Sequence, residues 1–520
     1  MTDDSNTGAR NLYNRIKSKM SRPSKDEILE GNIIAVMFKL GWPIMVATFL
    51  RTLYNLVDTI WLGRLPGEEA TYSVAAVSQA WSVVFIIMSL EIGMGIAALS
   101  LISQYTGAKK FKKASEYAGQ LYFIIIVLSI LLGLIGYFSS PYLLELLVAP
   151  GEEGALLADY GTRYLQIIFM GIPAMFLFFA FMFILRGWGD NVTPMKIVAV
   201  TVTLNMIIDP ILIFGSGTTF SIGALSFTVP TIFGYSIPRL GIEGAAYATI
   251  GTRAVGTIYS VYLMFSGKLG IELKLSYLIP DSTKIIQFFK VGLPASAGRF
   301  GSALGFLILW AVVYRLPNPD VAAAAYGAGN RILNITFLVV GGVTMAMSTM
   351  VGQGLGADLI DRTEKVTKTG LTALLVLTSF IAVIIFLSRN MLLSFIVPGQ
   401  PEVISSGAEY LMIFSLTMPF FGIFRGITDI LGGSGHTVQK MVLDLGRIWG
   451  FRLLFVFLLG LFLGMGETGV WMGMAISNVA AAGVGFAFYL KGTWKEKVIR
   501  DEPVAKPNIS SKNKASAEDN

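Results

Sequence analysis

Apolar runs of about twenty residues, long enough to span a bilayer, alternate with short polar segments along most of the chain. Tyr122 to Tyr137 carries no charge, and neither does Leu371 to Leu387. The runs predict twelve helices, over 32–62, 72–103, 118–140, 157–186, 194–215, 241–267, 284–315, 321–351, 366–388, 404–432, 438–463 and 467–491. Alternating ten-residue strands, the mark of a membrane β-barrel, are not seen. Two of the predicted helices carry polar stripes. The first has Thr48, Arg51, Thr52, Asn55, Asp58 and Thr59, spaced by three and four and so on one face. The fifth has Thr201, Asn205 and Asp209 at successive turns. Pro210 follows Asp209; it cannot donate to the Met206 carbonyl, which leaves a free acceptor one turn below the carboxylate.

The two halves of the chain repeat each other. Lys39-Leu40-Gly41-Trp42-Pro43 recurs as Lys290-Val291-Gly292-Leu293-Pro294, and Val148-Ala149-Pro150-Gly151 as Ile396-Val397-Pro398-Gly399. Tyr164, Pro173, Leu185 and Gly189 recur at one constant offset as Tyr410, Pro419, Leu431 and Gly435. Six helices per repeat return the chain to its starting side, so the repeats run parallel, a transporter design. The expected organisation is an N-terminal segment 1–30, an N-lobe 31–267, a linker 268–283, a C-lobe 284–491 and a disordered tail 492–520. The fold class is an all-α polytopic membrane protein: twelve transmembrane helices in two six-helix bundles related by pseudo-twofold symmetry. Residues 215–240, absent from the second half, are read as an outer loop, with a short hairpin as the alternative.

Composition agrees. Hydrophobic residues make up 54% and charged residues 14% of the 520, against about 25% charged in soluble domains; mean hydropathy is +0.66. The net charge of +7 is spread over loops rather than gathered in a nucleic-acid patch. One set of loops, with both termini, Lys109 to Lys113, Lys196, the linker and Arg362/Lys365/Lys368, holds nearly all the loop Lys and Arg. The opposite set has only Arg64, Arg239, Arg315 and Arg389. Both termini are therefore expected in the cytoplasm of a plasma-membrane protein. With no cysteine and one histidine, thiolate chemistry and a His-based metal centre are excluded. No cofactor and no enzymatic activity are expected.

The chemistry falls in the first lobe. A carboxylate in hydrocarbon is costly and usually functional. Burial disfavours its charged form, and two neighbouring carboxylates hold a proton more readily than two charges. Asp58 and Asp209, with Asn205, suggest a proton site; the same oxygens with a threonine would serve Na⁺. Arg51, Arg163 or Arg253 could instead neutralise an aspartate in a structural salt bridge. Glu91 is expected to pair internally, and Arg425 to bridge Asp429.

Five motifs carry a family resemblance. Tyr54-Asn55-Leu56-Val57-Asp58-Thr59, Gly189-Asp190-Asn191-Val192-Thr193-Pro194, Asn205-Met206-Ile207-Ile208-Asp209-Pro210, Gly241 to Thr249 and Arg447-Ile448-Trp449-Gly450-Phe451-Arg452 resemble, in order, signatures of MATE (multidrug and toxic compound extrusion) transporters, nearest their archaeal and bacterial, DinF-like branch. The resemblance covers residues 31 to about 491. It implies a V-shaped pair of bundles that exports organic cations, drugs or toxic metabolites in exchange for H⁺ or Na⁺. It also implies coupling at Asp58, Asn205 and Asp209 with a helix 6 hydroxyl, Thr249 or Thr252, and a monomer in contact with lipid. Asn55, Met175, Phe176 and Met206 are the candidates for substrate contact. The chain departs from the Na⁺-coupled branch in having no acid between Asp281 and Asp320. The alternative is a lipid-linked oligosaccharide flippase of the same superfamily, for which Arg51, Arg163, Arg253, Arg299 and Arg331 speak.

Overall fold

The computed structural model describes residues 21–148, 150–222, 225–231 and 235–499. Twelve long helices are found among them: α1 (Ile33–Leu62), α2 (Glu68–Gly107), α3 (Phe111–Glu145), α4 (Glu152–Trp188), α5 (Val192–Phe214), α6 (Ile242–Phe265), α7 (Ser282–Val313), α8 (Pro319–Gly356), α9 (Ile360–Ile396), α10 (Pro401–Ser434), α11 (Thr437–Phe462) and α12 (Gly466–Lys491). Eleven are long and apolar enough to cross a membrane; α6, with Glu243 and Arg253 on a Gly/Ala/Thr-rich helix, has the length but a lower hydropathy. Several helices outrun their apolar cores. α9 begins at Ile360 with a polar turn containing Asp361, Arg362 and Glu364, which hydropathy alone cannot register.

The repeat is visible in the packing. α2 lies on α4 as α8 lies on α10; α3 on α4 as α9 on α10; α5 on α6 as α11 on α12; α1 on α5 as α7 on α11. Among the contacts that cross between the halves, α2 with α7 and α8 with α1 correspond, and α2 and α8 pack on each other. The ends of α4 and α10 match as well. Gly189 and Gly435 cap them at φ 88° and 87°, a left-handed conformation that favours glycine.

The lobes are fastened at the end of the bundle that carries both termini. A Cβ on Gly107, at the end of α2, would fall 1.9 Å from the Gln353 carbonyl oxygen; one on Gly356, at the end of α8, would fall 1.9 Å from that of Gln104. Each glutamine side chain then caps a helix of the other lobe. Gln104 Nε2 donates to the Ser434 carbonyl and Gln353 Nε2 to the Gly187 carbonyl, both at 3.0 Å.

Two terminal segments lie over this seam. Lys25–Glu30 is a short helix with Ser24 as its N-cap. It touches the first lobe through Arg22 and Asp190 (3.2 Å) and Lys25 Nζ to the Trp188 carbonyl (3.1 Å). It touches the second through Arg362, which donates to the Gly31 carbonyl at 2.7 Å. The tail differs from the expectation of disorder from residue 492. Trp494 is buried, and the backbone N–H of Val498 donates to Gln104 Oε1 at 3.0 Å. Buried aromatic surface and these bonds hold residues 492–499; residues 500–520 and 1–20 lie outside the described residues. The 215–240 insertion is a hairpin, not a plain loop: Thr219–Ile222 pairs antiparallel with Leu225–Thr228. Its Thr-Phe-Ser-Ile and Leu-Ser-Phe-Thr strands alternate hydroxyl and apolar residues, a two-residue period.

Candidate ion-coupling site and central cavities

Three carboxyl and amide groups converge inside the first lobe. Asp58 on α1 is 5% exposed and Asp209 on α5 is fully buried. Asn205, one turn before Asp209, donates from Nδ2 to Asp209 Oδ1 at 3.1 Å. Asp58 Oδ1, Asp209 Oδ2 and Asn205 Oδ1 are all buried without a hydrogen-bond partner. Buried polar atoms are nearly always satisfied, so three such oxygens in one lobe interior are an exception to the rule.

Beside them is a cavity of about 370 Å³ lined by Arg51, Tyr54, Asn55, Asp58, Trp81, Met175, Asn205, Thr249 and Thr252, among others. The Thr249 and Tyr54 hydroxyls share a hydrogen bond of 2.7 Å. Thr252 donates within its own helix to the Ala248 carbonyl. Of the substrate-contact candidates, Asn55 and Met175 line the cavity; Phe176 is buried in the core and Met206 is half-buried outside the cavity wall.

Neither aspartate has an arginine within ion-pair distance among the described residues, although Arg253 lines the same cavity as Asp58. Arg163 is spent at the surface on Asp159 and Glu243. Arg51 stacks over Phe179 at 4.8 Å, with Nη2 2.9 Å from Met182 Sδ. Arg253 lies over the Trp81 ring at 5.5 Å. The salt-bridge reading of Asp58 and Asp209 is therefore not realised. Nor is the expected pairing of Glu91: both its carboxyl oxygens are buried without a hydrogen-bond partner. The expected Arg425–Asp429 bridge is present at 3.1 Å.

This arrangement sits within a repeat that a family profile also divides in two: MatE matches residues 43–211 and 294–458, one stretch in each lobe. The chain belongs to the MatE family. A relative called a probable multidrug resistance protein, YpnP of Bacillus subtilis (strain 168), is 28% identical over 472 residues, covering 90% of this chain and 97% of its own. Two solved structures share the fold. A MATE family transporter in an outward-facing conformation aligns with TM-score 0.78 at 20% identity, over 91% of this chain and 98% of that one. A superfamily transporter from Pyrococcus furiosus, described as having a binding pocket of reverse polarity that suggests a different function, aligns with TM-score 0.79 at 20% identity, over 92% of this chain and all of that one.

The second lobe of this MatE transporter holds a further cavity that the sequence did not expose. It measures about 300 Å³ and is lined by Arg299, Arg425, Arg447 and Arg452 with Tyr326, Tyr410 and several phenylalanines. A neighbouring space of about 270 Å³ lies between the lobes and shares Arg299, Phe337, Gly341 and Arg425 with it; Arg51 and Arg186 reach in from the first lobe. Arg447 and Arg452 stand five apart on α11, which would separate them by about 140° on an α-helix. The residues Gly446–Leu453 are instead wound as a π-helix, whose i to i+5 pattern brings both to one side. The signal available in the sequence was the presence of two arginines in an apolar helix.

Proposed function

We propose that this protein is a secondary active exporter, moving small amphipathic organic molecules outward in exchange for H⁺ or Na⁺ by alternating access. The observation that carries the reading is the set of orphaned buried oxygens on Asp58, Asp209 and Asn205. Such a group takes up a cation when one lobe conformation shields it and releases it when water enters; only unequal affinity in the two conformations drives the cycle. Thr249, hydrogen-bonded to Tyr54, sits at the cavity wall to complete the site; Thr252, bonded within its own helix, is available as a second hydroxyl. Asn55 and Met175 are the first-lobe contacts for cargo. Family membership and the multidrug resistance naming of the Bacillus relative support export of small organic molecules. The excess of Lys and Arg in the loops on the termini side supports a plasma-membrane orientation with both termini cytoplasmic. The glycine-and-glutamine seam then closes the cytoplasmic side. Residues 31–267 and 284–491 act as the two moving lobes, in a monomer, joined by the 268–283 linker.

The test is export from proteoliposomes holding the full chain, first with an imposed pH gradient, then with an imposed Na⁺ gradient. Ethidium and 4-methylumbelliferyl phosphate serve as test compounds. Transport driven by either ion, and lost on collapse of that gradient, is expected. Transport indifferent to both gradients would remove the antiport reading.

A further inference from the structure

The sign of the cargo's charge can be argued from the second lobe; this step rests on the transport reading above. Two acids stand near its cavity, and both are committed. Asp429 bridges Arg425 at 3.1 Å and Lys440 at 3.3 Å, and Lys440 also meets Asp444 at 3.3 Å. Arg299, Arg447 and Arg452 have no carboxylate partner among the described residues. Arg447 is 9% exposed, and its Nε is buried without a hydrogen-bond partner. It rests over the rings of Phe424 (5.2 Å) and Phe421 (5.8 Å). Arg452, 5% exposed, is held by neutral acceptors only: Nε donates to Ser477 Oγ at 3.1 Å and Nη2 to Asn478 Oδ1 at 2.9 Å.

A guanidinium inside a membrane protein is costly unless it is paired. Here three lack a carboxylate partner, and two are aligned by a stretch of π-winding. We propose that this cavity is an anion site and that the cargo is an amphipathic organic anion: a phosphate, sulfonate or carboxylate on an aromatic or otherwise apolar body. The guanidinium forks suit planar or tetrahedral oxyanions. Tyr326, Tyr410, Phe306 and Phe414 supply the apolar wall. An organic cation would meet like charge there and leave each arginine unpaired. The two lobes thereby divide the charges: carboxylates for the coupling cation in the first, arginines for the anionic head of the cargo in the second. The same chemistry fits a free aromatic phosphate or the diphosphate head of a lipid carrier.

Full-length protein in detergent is titrated, with no ion gradient, against 4-methylumbelliferyl phosphate, farnesyl diphosphate and ethidium, and binding is read by thermophoresis. Binding of the soluble phosphate assigns a soluble cargo; binding of farnesyl diphosphate alone assigns a lipid diphosphate. In either case Arg447→Gln and Arg299→Gln should each weaken binding about tenfold, as expected for loss of one charge-assisted hydrogen bond, with Arg447→Lys between wild type and Arg447→Gln, since lysine keeps the charge but not the fork. Arg299, only half-buried, provides a readable variant if Arg447→Gln fails to fold. If neither anion binds, or anion affinity is unchanged in the glutamine variants that fold, the proposal is overturned. Because no gradient is applied, failure of ion coupling in proteoliposomes leaves this result standing. Ethidium export with no anion binding would overturn the anion site and leave antiport intact.

Discussion

At the scale of single residues, the carboxylates on α1 and α5 were legible because a charge in an apolar helix stands out against its surroundings. Their relation to each other was legible only in part. Spacing placed Asp58 and Asp209 on polar faces, and the fold brings them to one lobe interior with Asn205 between the options of donor and acceptor. Their freedom from an arginine ion pair was not legible, because Arg51 shares a helix face with Asp58 yet turns away onto Phe179. That freedom makes a specific prediction. Neither aspartate holds an ion pair, so Asp58→Asn and Asp209→Asn should cost less than about 1 kcal/mol of stability, seen as a nearly unchanged melting temperature in detergent. Gradient-driven export should fall by more than about tenfold in each, a loss of roughly 1.4 kcal/mol or more in driving the cycle. Near wild-type export by both variants would remove the coupling role; collapse of the fold would return them to a structural one.

Elements show where periodicity helps and where it misleads. Twelve helices follow from apolar runs; their caps do not, although Asn32 caps α1 with its side chain accepting from Ala35 N–H. The alignment of Arg447 with Arg452 was hidden because the expected α-period puts them on different faces. Short segments at the membrane edge were equally hard to read. The helix Lys25–Glu30 is an example: Lys25 sits with Nζ 2.9 Å from the Trp188 ring centroid. Burial, then the neighbouring Arg22, push its ammonium down from 10.5 to about 6, with Asp190 opposing. An undocked Lys25 binds its proton up to about pH 10.5, a docked one only to about 6, so docking strengthens as pH rises between these values. A nitroxide at Asp26→Cys, in a chain with no other cysteine, should become less mobile from pH 6 to pH 9; the reverse trend would contradict the sign. A second element prediction concerns α1 and α5, which contain Pro43 and Pro210 and so bend at low cost. Protonating a carboxylate turns an acceptor into a donor as well. Spin labels at the exposed Leu56→Cys and Ile207→Cys positions should change separation between low and high pH. An unchanged distance in a protein shown to transport would leave the ion site but reject bending of α1 as its consequence.

For the whole molecule, the decisive feature is the correspondence between halves, because it predicts how they part. Repeated motifs exposed it in the sequence, but not the seam, which depends on two glycines meeting the backbone of the opposite helix. Opening the termini side requires Gly107 to leave Gln353, Gly356 to leave Gln104, and both glutamine side chains to release the ends of α10 and α4. A methyl group at Gly107 does not fit the closed seam: the opposing atom is a backbone carbonyl, with no side chain to rotate aside. Overpacking of this kind costs about 1–3 kcal/mol, and the cost falls only on the closed state, since the open state gives the methyl room. Gly107→Ala should therefore shift the balance of the two states by about five-fold or more toward opening, 1 kcal/mol being about a factor of five. With labels at Ala108→Cys and Ala357→Cys, which follow the two glycines by one residue in each half, pulsed electron resonance should show a growing long-distance population. Gly356→Ala should do the same, because the seam is symmetric. A longer distance in one variant only would mean that the halves do not share the closure equally; no change in either would place the gate elsewhere.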